Sequence, residues 1–192
     1  INKSLSLKEI SRPYLNEEEL KRLMGLNVRI KRLEGVRDYF LFACFTGLSY
    51  SDVKKLTRKE IEITDAGKWI KTHRKKTGGI VYVPILEVTW QIIQKYNPLF
   101  AELMPDDPIL PIVSNQKMNG YLKEIAIMAE ITKKLSYHIA RHTFATTVTM
   151  LNGVPIETVS KMLGHKNIRS TQHYARIVDA KVNKDMQDLA ER

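Results

Sequence analysis

The feature that most restricts the fold is a change of hydrophobic period confined to one short stretch. Residues 60–64, 68–75 and 80–84 are runs with β-branched content, separated by Asp65-Ala66-Gly67 and Thr77-Gly78-Gly79, both good turn formers. Three strands joined by two tight turns read as a small antiparallel sheet. The chain on either side reads as helix. Asn16, with Glu19 three residues on, forms a capping-box pattern ahead of Leu20 and Leu23. Val36, Tyr39, Phe40 and Ala43 give a helix over 33–44 that Gly47 ends, and Ser49 or Ser51 caps a short helix at SDVKKL. Further helices are expected over 90–96, 115–130, 137–152, 156–163, 169–174 and 180–190. The expected fold is mainly α with a small three-stranded antiparallel β-sheet.

At 192 residues, 43% hydrophobic and 27% charged, the chain suits one domain, or a domain with a small lobe. No apolar run approaches the length of a membrane span, and the start shows no signal-peptide pattern. It opens on Ile1, and residues 1–12 read as a linker from an upstream part of the protein. Lys and Arg outnumber Asp and Glu by 31 to 21, a net charge of +10. That favours a polyanionic partner, nucleic acid first and an anionic membrane surface second. The basic residues recur in folded-looking segments such as KTHRKK and KMLGHKNIR, which fits a basic groove better than a tail. Cys44, the lone cysteine, lies in the apolar run YFLFACF, which reads as a buried thiol in a reducing, cytoplasmic setting and excludes a disulfide framework.

The chemistry is concentrated in residues 136–177. His138 and Arg141 are three apart and share a helix face, where both can hold one anionic oxygen. Equally, an isolated His-x-x-Arg is often a packed histidine beside a paired arginine. His142 adds an i, i+4 histidine pair, but a zinc protease needs Glu at the position of Ile139, so no metal site is expected and His142 reads as an orienting neighbour or a core residue. Leu163-Gly164-His165 reads as a helix end turning sharply, and Tyr174 follows nine residues later. The joint pattern is far more specific than its parts.

With those residues in place, the chain resembles the tyrosine recombinases, the phage-type integrases and their relatives. His138, Arg141, His165 and Tyr174 match the last four catalytic positions of that family in order and spacing, and the likeness extends through FTGLSYSDVKKL, where Asp52 stands for the usual acid, and through the sheet. The resemblance implies that Tyr174 is the nucleophile of a 3′-phosphotyrosyl intermediate and that a lysine in the sheet protonates the leaving 5′-hydroxyl. Lys76 in the second turn is favoured over Lys75 and Lys71. It also implies double-stranded DNA as partner, no cofactor, a homotetramer on DNA and a monomer in isolation, a core-binding domain ahead of the catalytic domain at 13–192, and a last helix near 180–190 that docks on a neighbouring subunit or packs in cis. Lys71, Lys75, Lys166 and Arg169 are expected DNA contacts.

One position departs from the family. The arginine that normally follows Thr-Gly-Leu is Ser49, and a serine cannot clamp phosphate bidentately. Arg37 lies twelve residues upstream, about 18 Å along a helix axis, too far to substitute. Arg74, two residues before Lys76 on the expected strand, is the better replacement. Integrases of some conjugative transposons also lack this arginine, which places the resemblance nearest that branch. Phosphotyrosine chemistry suits these side chains. A phenol with a pKa of about 10 needs its proton removed and the phosphate neutralised, and arginine forks with histidine N–H groups serve the latter. The rival readings are a DNA-binding protein that keeps the fold without catalysis and a type IB topoisomerase that relaxes DNA without a synapsed partner.

Overall fold

The computed structural model describes residues 13–190; the expected linker at 1–12 lies outside them. The element order is α1 (Glu17–Gly25), α2 (Lys31–Thr46), α3 (Tyr50–Lys55), β1 (Ile61–Thr64), β2 (Gly67–His73), β3 (Ile80–Pro84), α4 (Glu87–Tyr96), α5 (Asn115–Met128), α6 (Tyr137–Thr143), α7 (Ile156–Met162) and α8 (Arg169–Ala190), with short 3-10 turns at Arg58–Glu60 and Phe100–Glu102. Among the described residues no helix is long and apolar enough to cross a membrane.

The capping box at the start of α1 forms as the spacing predicts: Asn16 Oδ1 accepts from the Glu19 N–H at 2.9 Å and Glu19 Oε2 accepts from the Asn16 N–H at 2.8 Å. The other carboxylate contact of Glu19, with Lys133 Nζ at 2.6 Å, ties this helix to the segment before α6. From Tyr39 to Phe45 α2 is apolar all round and so lies in the interior. Leu33, Val36, Phe40, Phe42 and Cys44 are fully or almost fully buried, and α4, α5 and α6 pack around it. Burial holds the Cys44 thiol well above its usual range, which keeps it protonated.

The sheet runs β1-β2-β3 with both pairs antiparallel. The register sets Ile61 opposite Ile70 and Ile70 opposite Val83, so these residues and Val81 form the inner face. Trp69 and Tyr82 stack on the outer face, ring centroids 4.6 Å apart. α7 lies against β3 and thereby joins the sheet to the C-terminal helices.

Two helices differ from expectation. The helix expected over 137–152 is α-helical only through Thr143, then π-helical at Phe144–Thr149 and 3-10 at Met150–Asn152. Threonines cause the change: Thr149 Oγ1 donates to the carbonyls of Phe144 and Ala145 at 2.9 and 2.8 Å, while Thr143 Oγ1 takes the Leu15 N–H at 2.9 Å. Side-chain hydroxyls competing for helix carbonyls loosen the regular ladder. The second difference lies after Tyr174. The separate helices expected at 169–174 and 180–190 are one helix, α8, because the intervening residues contain neither Gly nor Pro to break it.

Candidate active site

Three parts of the chain meet around Arg141. α6 presents it almost fully buried, at 6% exposure. Nη1 donates to the Gly47 carbonyl at 2.7 Å, beyond the end of α2, and Nη2 donates to the Leu163 carbonyl at 2.7 Å, at the end of α7. Nη2 also lies 3.0 Å from His165 Nε2. A guanidinium has donors and no acceptor, so Nε2 accepts and the imidazole proton sits on Nδ1. That nitrogen faces Thr171 Oγ1 at 2.8 Å. Burial, with Arg141 and Arg74 nearby, lowers His165 to about 4, in keeping with a neutral ring. Arg141 itself is lowered to about 10, by burial first and then by Arg74.

The hairpin supplies the second part. Asp52, fully buried on α3, accepts from Ser49 Oγ at 2.7 Å and from Arg74 Nε at 3.1 Å through Oδ2, and from the Lys75 N–H at 2.8 Å through Oδ1. Arg74 and Ser49 thus converge on one carboxylate oxygen, so the residue expected to compensate lies beside the position that lacks the arginine. Arg74 Nη1 is buried without a hydrogen-bond partner among the described residues. β2 ends at His73, earlier than expected, and Arg74, Lys75 and Lys76 belong to the turn. Strand alternation therefore does not carry to Arg74 and Lys76: the first points inward to Asp52 and the second is exposed. Lys75 is exposed too, and Lys71 pairs with Glu62 at 3.2 Å on the outer sheet face. Lys166 and Arg169 are exposed at the entry to α8. Arg37 is engaged elsewhere, with Asp38 at 2.7 Å and the Leu26 carbonyl.

The hairpin and the Leu163-Gly164-His165 turn are in direct backbone contact. A Cβ on Gly79 would sit 2.6 Å from the Gly164 carbonyl oxygen. One on Gly164, whose φ is 62°, would sit 2.8 Å from Val81 Cγ2 and 2.9 Å from Arg74 Cγ. Both the space and the left-handed backbone require glycine there. Gly164→Ala is expected to lower stability by about 1–3 kcal/mol, read as a lower urea midpoint at unchanged slope. An unchanged midpoint would show that the turn and hairpin are not so closely packed in solution.

Tyr174, on the second turn of α8, is buried at 2% exposure, with its hydroxyl 2.9 Å from His142 Nδ1. His142 is buried as well and stacks edge-on against His138, ring centroids 4.4 Å apart. His138 is exposed and opens onto a cleft lined by Ser49, Ser51, Asn115, Asn119 and Arg141 among others. No carboxylate lines this cleft, which suits an anion. α6 thus faces two ways, His138 and Arg141 toward the cleft and His142 toward Tyr174. Among the described residues no three His, Cys, Asp or Glu side chains are placed to hold one metal ion.

The structure brings His138, Arg141, His165, Tyr174 and Arg74 into one neighbourhood and leaves Lys76 exposed on the hairpin beside it. Sequence reasoning missed two contacts: His142 with the Tyr174 hydroxyl, and Thr171 holding the His165 ring. His142 carries a weak signal, its place directly after Arg141; Thr171 carries none.

The chain as a whole is similar to known proteins. Residues 13–181 match the model of the phage integrase family. Tyrosine recombinase XerC of Staphylococcus saprophyticus is 27% identical over 185 residues, covering 89% of this chain and 59% of its own length, so the chain spans little more than half of that relative. The crystal structure of XerA recombinase superimposes with a TM-score of 0.67 at 23% identity, over 94% of this chain and 66% of that one. The Tn1549 transposon integrase in complex with circular intermediate DNA gives 0.63 at 17%, over 89% and 67%. At these identities the structures establish a shared fold.

Proposed function

The chain belongs to the phage integrase family, and from that premise we propose that it is the catalytic domain of a site-specific recombinase that cuts and rejoins double-stranded DNA, for integration or excision of a mobile element, through Tyr174. The observation that carries the proposal is the convergence on α6: His138 and Arg141 at an anion-suited cleft, His165 on Arg141, and Tyr174 on the same short helix through His142.

The scissile phosphate would lie in the cleft, its nonbridging oxygens taken by Arg141 and His138. Charge on those oxygens grows in the transition state, where fixed donors in a partly buried site act most strongly. Arg141 would exchange its present partner, His165, for phosphate; with Thr171 Oγ1 then donating to Nδ1, the His165 proton would sit on Nε2 and be donated to the phosphate as well. Lys76, exposed on the hairpin, would give its proton to the leaving 5′-oxygen. The phosphotyrosine keeps the energy of the broken bond, so a second strand's 5′-hydroxyl can reverse the step without a nucleotide cofactor. Assembly as a tetramer on DNA, with α8 reaching a neighbour, belongs to the same proposal. A nicked suicide duplex tests it. A denaturant-resistant protein–DNA adduct is expected, and its absence would favour a binding module of the same fold. Relaxation of supercoils without a specific site would favour a topoisomerase.

Arg74 would replace the cation missing at Ser49. Its buried Nη1 with no hydrogen-bond partner among the described residues supports this, as does its place between Asp52 and Gly164. Arg74→Ala is expected to slow adduct formation by about 10²–10³-fold, the usual loss for a transition-state donor. Cleavage at the parent rate by a folded variant would rule the replacement out.

A further inference from the structure

The two histidines of the family pattern, His138 and His165, are both turned to other tasks. His138 opens onto the cleft beside Arg141. His165 is committed at both nitrogens, accepting from Arg141 at 3.0 Å and facing Thr171 at 2.8 Å. The Tyr174 hydroxyl instead meets a histidine outside that pattern, His142, at 2.9 Å from Nδ1, inside a site where Tyr174 and His142 are each 2% exposed.

We propose that His142 is the proton acceptor for Tyr174 in strand cleavage, an assignment that rests on the strand-transfer reading above. At neutral pH only about one phenol in a thousand is ionised, given an ordinary pKa of about 10. Neutral imidazole is suited to remove that proton as the bond forms, since its ordinary pKa lies close to the working pH. In the step, Tyr174 Oη bonds to phosphorus while the bond from phosphorus to the 5′-oxygen breaks. The phenol proton passes to His142 Nδ1, and the departing 5′-oxygen takes a proton from Lys76. Rejoining runs the same transfers backwards and leaves His142 neutral.

The placement of His142 is fixed by its helix. It follows Arg141 directly and lies one turn beyond His138, so the base and the phosphate-holding pair ride on one element. Among the described residues, the titratable and charged groups around the pair include His138 and Arg141 on α6, His173 on α8, with its ring 6.2 Å from that of His142, and His165 through Arg141. The positive charge of Arg141 opposes a long-lived imidazolium and favours its return to the neutral form.

The test uses single-turnover adduct formation on a nicked suicide duplex. His142→Asn keeps an acceptor for the hydroxyl where Nδ1 stands but cannot carry the proton. It is expected to bind DNA as the parent does and to cleave at least about 100-fold more slowly, with a rate that climbs with pH across the neutral range. A second substrate with sulfur in place of the bridging 5′-oxygen needs no proton on its leaving group. It should restore Lys76→Ala and leave His142→Asn slow, and added imidazole should speed His142→Ala. Parental rates and pH profile in His142→Asn, or its rescue by the sulfur substrate, would overturn the assignment. A parent chain that forms no adduct with either substrate would overturn the strand-transfer reading instead.

Discussion

Tyr174→Phe is expected to give a folded chain that binds DNA and forms no covalent adduct. The substitution removes one oxygen from a side chain that is 2% exposed and leaves the ring packing against α6 in place. The structural loss is the hydrogen bond to His142, worth about 1–3 kcal/mol when a buried partner is left behind. The chemical loss is the nucleophile, and cleavage should fall by at least about 10⁴-fold. A filter-binding curve superimposable on the parent's, with an empty adduct band on a denaturing gel, is the expected pair of results. An adduct band of parental intensity would mean that another residue attacks the phosphate.

Asp52→Ala is expected to cost more stability than any other substitution considered for this site. The carboxylate is fully buried and answers three donors from two elements: the Ser49 hydroxyl, the Arg74 guanidinium and the Lys75 N–H. Removing it leaves a largely buried guanidinium without its counter-charge, a loss of about 3–5 kcal/mol. Against a domain stability of about 5–15 kcal/mol that is a large fraction, visible in urea denaturation. Asp52→Asn should be milder because the amide oxygen still accepts. A shift in the alanine variant below about 1 kcal/mol would show that Arg74 and Asp52 are not paired in solution.

Much of this was legible in the sequence because its causes are local. Alternating β-branched runs between Gly-containing turns gave the three strands, and Asn16 with Glu19 gave the start of α1. The His-x-x-Arg, Leu-Gly-His and Tyr spacing carried the family resemblance that singled out four candidate site residues, which the fold brings into one neighbourhood. What stayed hidden depends on contacts between distant segments. Asp52 meets the Lys75 backbone 23 residues away, and nothing in either segment announces the other. The inward turn of Arg74 could not be read from strand period, because the strand has already ended. The π-helical stretch arises from threonine hydroxyls choosing carbonyls, a choice that residue type alone leaves open. The continuity of α8 through Tyr174 was open to reading, since no breaker stands between 174 and 180.

The bare contact between Gly79 and Gly164 has a mechanical consequence. With no side chain between them, the hairpin and the turn ahead of His165 meet main chain to main chain. Side chains absorb small displacements by changing rotamer; backbones in contact do not. A displacement of the hairpin at Gly79 is therefore expected to be felt at Gly164 and at the adjoining His165. The hairpin and the turn would then shift together, hinged at a pair of residues that have no side chains.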